Sequence, residues 1–263
     1  MKSGLIIYSE EDIERNKWFI DKCLKELNNE LFSLKLIEEK VAFEYIAKNK
    51  IDYAINRSRN HALIKSFEEM GIVCFNNSLT NEIANDKSKT VSFCKENCVR
   101  CLDIYDINTI DDCPFVMKSV DGHGGKEVYL LNDKQEAEKI LKKSHKKYIF
   151  QKYIKNSGDL RIYVLGNKVL GAVLRQNERD FRSNYSLGGS VLKYEPDVVL
   201  KQIALRISKR LNADFIGIDF LKTNEGFILN EIEDPVGSRM LYETSDIDAI
   251  GLFIKHIKEK MSK

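Results

Sequence analysis

The sequence predicts a protein of mixed α/β and α+β class, with a parallel sheet near its N-terminus and antiparallel strands in the remainder. Two patterns predict this class. Short apolar strands and helices alternate up to residue 76, which is typical of repeated β–α units around a parallel sheet. From residue 113 onward, strands follow one another through glycine-containing turns, which is typical of antiparallel hairpins.

The N-terminal part contains four predicted strands with three helices between them. The strands are expected at 5–8, 32–37, 52–56 and 72–76, and the helices at 10–31, 41–48 and 61–70. Ligands of parallel sheets bind at the carboxyl ends of the strands, and Arg57 and Arg59 follow the third strand there. These arginines are either anion ligands or surface charges that flank a helix.

Three of the six cysteines, Cys94, Cys98 and Cys101, have the spacing of an iron–sulfur triad. The residues before them, 85–91, indicate the start of a helix. On a helix the three cysteines would share one face, which is also the spacing of a buried stripe. Both interpretations remain open, and the buried stripe is favoured.

A glycine-rich turn at 121–126 connects a strand at 115–119 to a returning strand at 127–131. Walker and Rossmann motifs both require a helix after the glycines, so neither fits. The backbone N–H groups of such a turn can bind phosphates, and Lys118 beside it would neutralise phosphate charge. The alternative is a plain hairpin turn.

The following stretch is predicted to contain a helix, further hairpins and an arginine-rich loop. Helices are expected at 134–143, 196–211 and 246–260, a strand at 148–154, and a hairpin at 160–174 that turns at Gly166-Asn167. The loop 175–189 is poor in apolar residues. Because guanidinium groups bind carboxylate and phosphate oxygens in pairs, Arg175 and Arg182 are predicted anion ligands.

An acidic hairpin at 215–233 gathers Asp219, Glu231 and Glu233 on one predicted face. A three-residue loop at 224–226 would set Thr223 opposite Phe227, so that Asp219 faces Glu231 and Gly217 faces Glu233. The other face would hold isoleucines, namely Ile216, Ile218, Ile228 and Ile232. Carboxylate oxygens suit Mg²⁺, whose shell is completed by water and substrate phosphates. The alternative is a hairpin whose acidic residues face water.

The composition is that of an ordinary soluble globular protein. The chain has 263 residues, 43% hydrophobic and 31% charged, with a formal net charge of +2. Mixed charges predict no nucleic-acid partner, and no apolar run suits a signal peptide or a membrane span. A cytoplasmic location is therefore expected, and the cysteines fit such a reducing compartment.

The order of motifs resembles that of ATP-grasp enzymes, most of all the RimK-like carboxylate–amine ligases. The motifs run from Lys118 and the glycine turn through Gln-x-Tyr-Ile at 151–154, Gly-Asp-x-Arg at 158–161 and Asp-Phe-Arg-x-Asn at 180–184. Gly-x-Asp at 217–219 and Glu-x-Glu at 231–233 complete the series. The resemblance implies an N-terminal α/β domain at 1–85, a central subdomain at 86–154 and a C-terminal subdomain at 155–263.

The resemblance also implies roles for individual residues. ATP would be bound by Lys118, Gly122, Gly124, Gly125, Gln151, Lys152, Tyr153, Ile154 and Asp159. Arg182 and Asn184 match a pair near the terminal phosphate, and Arg175 is placed with them as catalytic. Asp219, Glu231 and Glu233 would hold Mg²⁺, expected as two ions, with Mn²⁺ as an alternative. Glu233 departs from the family, which usually has asparagine there.

The function implied is ATP-dependent amide formation through an acylphosphate, with a small-molecule or peptide carboxylate and amine as substrates. A regulatory nucleotide-binding protein and a phosphotransferase on the same fold are the alternatives. A homo-oligomer is considered, without a membrane or nucleic-acid partner. If Asp219 binds only a solvent-borne metal, Asp219→Asn should stop turnover with little loss of fold, and Arg182→Lys should slow it more than about tenfold.

Overall fold

The computed structural model describes residues 1–111, 113–125, 127–177 and 189–262. Within them lie three sheets, one of four parallel strands, one of three antiparallel strands and one of five antiparallel strands. The sheets follow one another along the chain. The mixed class predicted from the sequence is therefore confirmed, while the domain boundaries after residues 85 and 154 stay predictions.

The N-terminal sheet has the strand order β2-β1-β3-β4. Its strands are β1 Lys2–Tyr8, β2 Phe32–Glu38, β3 Tyr53–Asn56 and β4 Val73–Phe75. Leu5, Ile6 and Ile7 are consecutive in the central strand β1, and all three are fully buried. Helices cover both faces of a parallel sheet, so its strands are continuous apolar runs.

The helices of this part are α1 Glu10–Ile13, α2 Lys17–Glu26, α3 Glu39–Lys48 and α4 His61–Glu69. The single helix predicted at 10–31 is wrong, because a 3₁₀ turn at Glu14–Asn16 separates α1 from α2. Asparagine side chains explain both the break between α1 and α2 and the end of α2. Asn16 donates to the carbonyl of Asp12, and Asn29 accepts from the N–H groups of Leu31 and Phe32, and such side chains compete with helical hydrogen bonds.

Two further helices, α5 Ser78–Ala84 and α6 Lys87–Glu96, lead out of the N-terminal sheet. The interpretation that Cys94, Cys98 and Cys101 share a helix face is wrong. Helix α6 ends at Glu96, and Cys98 has a left-handed φ of 51°. Cys94 is buried, Cys98 is exposed, and Cys101 forms a bridge to the acidic hairpin at Leu229.

The three-stranded sheet has the order β6-β5-β7, with β5 Phe115–Ser119, β6 Val128–Leu131 and β7 Tyr148–Lys152. Helix α7 Lys134–Leu141 packs against its strand β6. The strand–turn–strand predicted around the glycines is therefore confirmed. This sheet carries Lys118 and the glycine-rich turn.

The five-stranded sheet has the order β10-β9-β8-β11-β12. Its strands are β8 Asp159–Leu165, β9 Lys168–Gln176, β10 Ser190–Tyr194, β11 Phe215–Thr223 and β12 Gly226–Glu233, and its helices are α8 Val198–Leu211, α9 Arg239–Thr244 and α10 Ala249–Met261. Strand β10 and the six-residue helix α9 were not predicted. Leu192 is exposed in β10, and Val191 and Tyr194 are only partly buried, so the apolar residues of this strand do not mark one buried face.

A shared core joins the N-terminal sheet to the C-terminal helix. The ring of Phe253 in α10 lies 6.5 Å from the rings of Phe19 and Phe75 and 5.4 Å from that of Phe215. Aromatic pairs at these centroid separations add to the burial of apolar surface. The core therefore fixes the carboxyl ends of the parallel strands beside the acidic hairpin. Among the helices described, none combines the length and apolarity that crossing a bilayer requires.

Candidate active site

The acidic hairpin is built from β11 and β12 with a register that changes along its length. Thr223 pairs with Gly226 rather than Phe227, so the predicted three-residue loop is wrong. A bulge that leaves Asn230 without a partner then shifts the register by one residue, and Asp219 pairs with Glu231 and Gly217 with Glu233, as predicted.

The same bulge changes which apolar residues share a face. Leu229, rather than Ile228, joins Ile216, Ile218 and Ile232 in the core beneath the hairpin. Ile228 instead pairs with Leu221 on the opposite face of the hairpin. Leu221 lines a pocket there, here called the first pocket, together with Asp219, Glu231 and Glu233. The prediction for Ile228 is therefore wrong, because one extra residue inverts the alternation of faces.

Three carboxylates meet on the pocket face. Asp219, Glu231 and Glu233 each offer an oxygen, and these atoms lie within 4.8 Å of one another. Asp219 is only 1% exposed, whereas the side chains of Glu231 and Glu233 are each 26% exposed. The two glutamates are therefore the accessible members of the cluster.

Two buried arginines surround Asp219. Arg161 forms a fork with Nε 2.7 Å from Oδ1 and Nη2 2.6 Å from Oδ2, and Arg175 Nη2 lies 2.6 Å from Oδ2. Arg161 Nη2 also lies 2.9 Å from Glu233 Oε1. Burial alone would raise the pKa of Asp219, but the two guanidinium groups hold it below its ordinary value. The carboxylate is therefore charged and fixed in position.

Arg175 lies at the end of β9 rather than in the predicted loop. It is buried, and its Nη2 lies 2.8 Å from Asp159 Oδ2 as well as next to Asp219. Burial raises the pKa of Asp159 to about 6 despite Arg175. Arg175 thus joins two carboxylates, and its predicted role as a catalytic anion ligand stays a prediction.

Two lysines approach the cluster from the other side. Lys118 is buried, and its Nζ donates to Asn230 Oδ1 at 2.8 Å. Burial lowers its pKa, and Glu231 opposes that shift. Lys87 Nζ donates to the Gly122 carbonyl and lies 3.2 Å from Glu231 Oε1. Asn230 thus fixes Lys118 from the bulge, and Lys87 ties the glycine-rich turn to the acidic hairpin.

Sequence reasoning did not single out Lys87, Asn230 or Arg161 as site residues. Lys87 had a usable signal, because a cation in the first turn of a helix is unfavourable unless another group requires it. Asn230 had none, since its position depends on the bulge. Arg161 was seen at the start of its hairpin, but the pairing of β8 with β11 that brings it to Asp219 could not be derived.

The glycine-rich turn forms one wall of the pocket. Gly124 and Gly125 have left-handed φ values of 69° and 75°, which favour glycine. A Cβ on Gly122 would lie 2.9 Å from Glu127 Oε2 and 3.0 Å from Ser119 Cβ, so a larger residue there would displace these side chains. Burial and Arg59 together lower the pKa of His123, which lies between Gly122 and Gly124.

The segment predicted to frame a nucleotide base lies at the end of this pocket. Gln151, Lys152, Tyr153 and Ile154 line it together with the apolar side chains of Leu102, Val116 and Leu221. Gln151 is buried and donates to the Leu102 carbonyl at 3.3 Å. One pocket therefore holds apolar side chains together with Lys118 and the three carboxylates.

A second pocket of about 550 Å³ opens beside the first. His123, Arg161, Arg175 and Glu233 line both pockets. The second pocket reaches from these residues to the carboxyl ends of the parallel strands, where Arg57 and Arg59 lie. Of the carboxylate cluster, Glu233 thus lies where the two pockets meet.

Comparison with known proteins places this geometry in a family. The model of the RimK-like ATP-grasp domain matches residues 80–257, which include both antiparallel sheets and the carboxylate cluster. The chain belongs to the RimK-like ATP-grasp family.

Relatives extend beyond the matched domain. A Mycoplasma genitalium protein of uncharacterized function is 28% identical over 271 residues, covering 100% of this chain and 94% of its own length. A probable alpha-L-glutamate ligase of Maridesulfovibrio salexigens is 28% identical over 216 residues, covering 75% of this chain and 71% of its own. The D-alanine–D-alanine ligase of Bacillus anthracis, solved with ATP, superimposes with a TM-score of 0.78 at 16% identity, over 100% of this chain and 97% of that one.

The donors of this ATP-grasp cluster fit a divalent cation. Mg²⁺ binds carboxylate oxygens at about 2.0–2.1 Å in an octahedral shell, and oxygens within 4.8 Å of one another need little movement to share one. Asp219 Oδ2 accepts two hydrogen bonds, whereas Oδ1 accepts one and keeps a lone pair for a metal ion. Glu231 and Glu233 each contact one cationic group through Oε1, so lone pairs remain on their oxygens as well. Arg182 and Asn184 lie outside the described residues, so their predicted roles stay predictions.

Proposed function

We propose that this chain is an ATP-dependent ligase that joins a carboxylate to an amine through an acylphosphate. One observation carries the proposal. A pocket suited to a nucleotide meets a second pocket at the residues where the terminal phosphate would lie, namely Arg161, Arg175 and Glu233. A carboxylate held in the second pocket would face the transferring phosphoryl group.

The first pocket would bind ATP with its base at the apolar end. Leu102, Val116 and Leu221 would contact the adenine ring, with backbone groups of the segment 151–154 along its edge. Lys118 and Lys87 would neutralise the phosphates, and the N–H groups of the glycine-rich turn would donate to their oxygens. Asp159 would line the pocket beside them.

Asp219, Glu231 and Glu233 would hold Mg²⁺, which supplies positive charge to the oxygens of the transferring phosphoryl group. Arg161 and Arg175 keep the Asp219 carboxylate in one orientation. Whether one ion or two bind, and whether Mn²⁺ substitutes, belongs to the proposal. Glu233 adds a negative charge where the family usually has asparagine, which strengthens the attraction for a cation.

The proposed reaction needs no nucleophile from the protein. An oxygen of the acid attacks the γ-phosphorus and ADP leaves; the amine nitrogen then attacks the acyl carbon, phosphate leaves, and the amine loses a proton. Catalysis by the chain then consists of positioning and charge stabilisation. Arg182 and Asn184 are proposed to act near the acyl group.

The substrates are proposed to be amino acids or peptides. This proposal rests on the relative that is named a probable alpha-L-glutamate ligase and on the cationic side chains of the second pocket. The acid and the amine would enter from that pocket, since the first one takes the nucleotide.

Purified protein with Mg·ATP and a panel of acids and amines tests the proposal. The expected result is ADP release that requires both an acid and an amine, with a product whose mass is that of the amide. ADP release with a phosphate ester as the stable product would identify a phosphotransferase. Tight ATP binding without ADP release from any pair would support the regulatory alternative and contradict the ligase.

A further inference from the structure

Two thiols, those of Cys94 and Cys101, lie in contact where helix α6 ends. Cys94 is buried on α6, and Cys101 follows that helix and is half-buried. The chain reverses between them, because the Val99 N–H donates to the carbonyl of Cys94 at 2.8 Å. Sγ of Cys101 lies 4.0 Å from the carbonyl oxygen of Val91, and its thiol is hydrogen-bonded to that of Cys94. Both cysteines are free, so they form a dithiol pair against the helix.

The hydrogen bond between the two thiols makes them chemically unequal. It holds the pKa of Cys101 below its ordinary value, although burial acts in the opposite direction. The same hydrogen bond, together with burial, raises the pKa of Cys94. A cysteine with a lowered pKa and partial exposure reacts with oxidants, and a neighbouring thiol can then resolve the product.

Cys101 is joined to the acidic hairpin that lines the first pocket. It forms a parallel bridge to Leu229 of β12, and the Leu229 N–H donates to the carbonyl of Arg100 at 3.0 Å. Leu229 precedes Asn230, whose Oδ1 accepts from Lys118. A shift of Cys101 would therefore reach the lysine that is proposed to neutralise nucleotide phosphates.

The residue after Cys101 contacts the apolar part of the same pocket. Leu102 lines the first pocket, and its carbonyl accepts from the buried Gln151 at 3.3 Å. Cys101 thus lies between two structural connections to the first pocket, one through Leu229 and one through Leu102.

We propose that Cys94 and Cys101 form a disulfide under mild oxidation, and that this bond weakens nucleotide binding in the first pocket. The second half rests on the proposed function, because it takes the first pocket as the nucleotide site. A disulfide brings its sulfurs to about 2.05 Å, closer than hydrogen-bonded thiols lie. Since Cys94 is fully buried on its helix, the half-buried Cys101 has to move, and its bridge to Leu229 moves with it.

The reaction is a two-electron oxidation in which hydrogen peroxide is reduced to water. The Cys101 thiolate attacks one peroxide oxygen, the O–O bond breaks, and hydroxide leaves to become water with a proton from solvent. Cys101 is then a sulfenic acid. The Cys94 sulfur bonds to the Cys101 sulfur as its proton leaves, the S–O bond breaks, and the departing hydroxide takes that proton as a second water.

Peptide mapping after peroxide treatment of the full chain tests whether the disulfide forms. Trypsin separates the cysteines of this region into different peptides, namely 90–95 with Cys94, 96–100 with Cys98, and 101–118 with Cys101 and Cys113. The expected product joins 90–95 to 101–118 and is two hydrogen atoms lighter than the two peptides together. Cys113→Ser should give the same link, which assigns it to Cys101. Absence of this link, or a link to 96–100 instead, would overturn the proposal.

Calorimetric titration with Mg·ADP tests the effect on the first pocket. The oxidised protein should bind Mg·ADP at least about tenfold more weakly than the reduced protein, and dithiothreitol should restore the affinity. By linkage, saturating Mg·ADP should raise the midpoint reduction potential of the pair by about 30 mV for each tenfold difference in affinity. Equal affinities of the two forms would overturn the proposed control.

Three variants separate this disulfide from oxidation elsewhere in the chain. Cys101→Ser, at the half-buried position, should form no link and keep its Mg·ADP affinity after peroxide treatment, and Cys94→Ala should behave in the same way. Cys98→Ser is the matched control, because Cys98 is exposed beside the pair and should leave the native response unchanged. Loss of affinity in oxidised Cys101→Ser equal to that of the native protein would contradict the proposal.

The outcome is separable from that of the ligase proposal. Peroxide-sensitive Mg·ADP binding without any amide product would support the disulfide switch and remove the ligase. Amide formation at a rate that the Cys94–Cys101 link leaves unchanged, with equal Mg·ADP affinity, would do the reverse. Failure of the reduced protein to bind Mg·ADP would overturn both.

Discussion

Asp219 is a buried residue, and its carboxylate accepts three hydrogen bonds from two arginines. The expectation that its only partner is a metal ion, and that its loss leaves the fold intact, is therefore not supported by the geometry. Removing one partner of a buried ion pair leaves charge without compensation. Asp219 thus has a structural role in addition to its proposed metal-binding role.

Asp219→Asn should lower the free energy of unfolding by about 3 kcal/mol, because the amide N–H₂ would face guanidinium groups. Glu231→Gln should change it by less than about 1 kcal/mol, since that side chain is 26% exposed, yet lower Mg²⁺-dependent turnover at least about hundredfold. Denaturant titration and ADP release measure the two effects.

Glu225→Gln is the control for both variants, because Glu225 is 80% exposed and pairs with Arg100 outside the pockets. It should alter neither quantity. Equal stability of the Asp219 and Glu231 variants would contradict the proposed division of roles.

The charges around the carboxylate cluster are balanced before any ligand binds. Four carboxylates, those of Asp159, Asp219, Glu231 and Glu233, lie among four cationic groups, those of Lys87, Lys118, Arg161 and Arg175. A divalent cation added alone would leave excess positive charge. Nucleotide phosphates would offset it.

Metal and nucleotide should therefore bind cooperatively. Mn²⁺, followed by its electron paramagnetic resonance signal, should bind at least about tenfold more tightly in the presence of ADP, and by linkage ADP should bind more tightly with Mn²⁺. Lys222→Ala, outside the cluster, should leave this coupling unchanged. Mn²⁺ affinity independent of ADP would argue against the charge balance.

The position of a site residue could be predicted from the sequence where it depends only on residues nearby in the chain. Lys118 and the glycines lie where the strand–turn–strand pattern placed them, because strands and turns are determined by near neighbours. Arg161 and Asn230 could not be predicted as site residues. Their positions follow from strand pairing across the five-stranded sheet and from one bulge.

At the level of elements, the hairpin register shows how two errors can cancel. The loop is one residue shorter than predicted, and the bulge at Asn230 adds the residue back before Glu231. The predicted pairing of Asp219 with Glu231 was thus correct, while the predicted face of Ile228 was not. A bulge has no signal in an alternating sequence, so only the structure reveals it.

Helix α6 ends at Glu96, before Cys98 and Cys101, so the cysteines of the predicted triad differ in their accessibility to reagents. Cys98 and Cys113 are exposed, Cys101 is half-buried, and Cys23, Cys74 and Cys94 are buried. Burial also raises the pKa of Cys23 to about 12. Among the described residues, no three cysteines lie close enough together to hold one metal ion.

Reaction of the native protein with a thiol reagent at pH 8 should modify Cys98 and Cys113 rapidly and Cys101 more slowly. All six thiols should react after denaturation. Peptide mapping by mass spectrometry identifies the sites, and Cys98→Ser should remove one fast thiol only. Protection of Cys98 together with Cys94 and Cys101 would instead indicate a bound metal cluster.

At the level of the whole molecule, Asn76 joins the N-terminal sheet to the acidic hairpin. Its Oδ1 accepts from the N–H groups of Asp214 and Phe215, at 2.6 and 2.9 Å. Its Nδ2 donates to the Phe215 carbonyl and to Asp234 Oδ1, at 2.8 and 2.7 Å. The residue thus contacts the start of β11 and the chain just after β12.

Asn76→Ala should lower the free energy of unfolding by roughly 3 kcal/mol, because it leaves several buried polar groups without partners. Asp133→Ala, which removes only the cap of helix α7, should cost about 1 kcal/mol. Chemical denaturation compares the two. A smaller loss for Asn76 than for Asp133 would mean that the two parts of the molecule are held together mainly by the apolar core.

The central proposal is that a carboxylate receives the γ-phosphoryl group before the amine attacks. It is tested most directly with an acid substrate labelled with ¹⁸O in its carboxylate, followed by mass analysis of the released phosphate. Transfer of one labelled oxygen to each phosphate is the predicted result. Amide formation with no label in the phosphate would contradict the acylphosphate route.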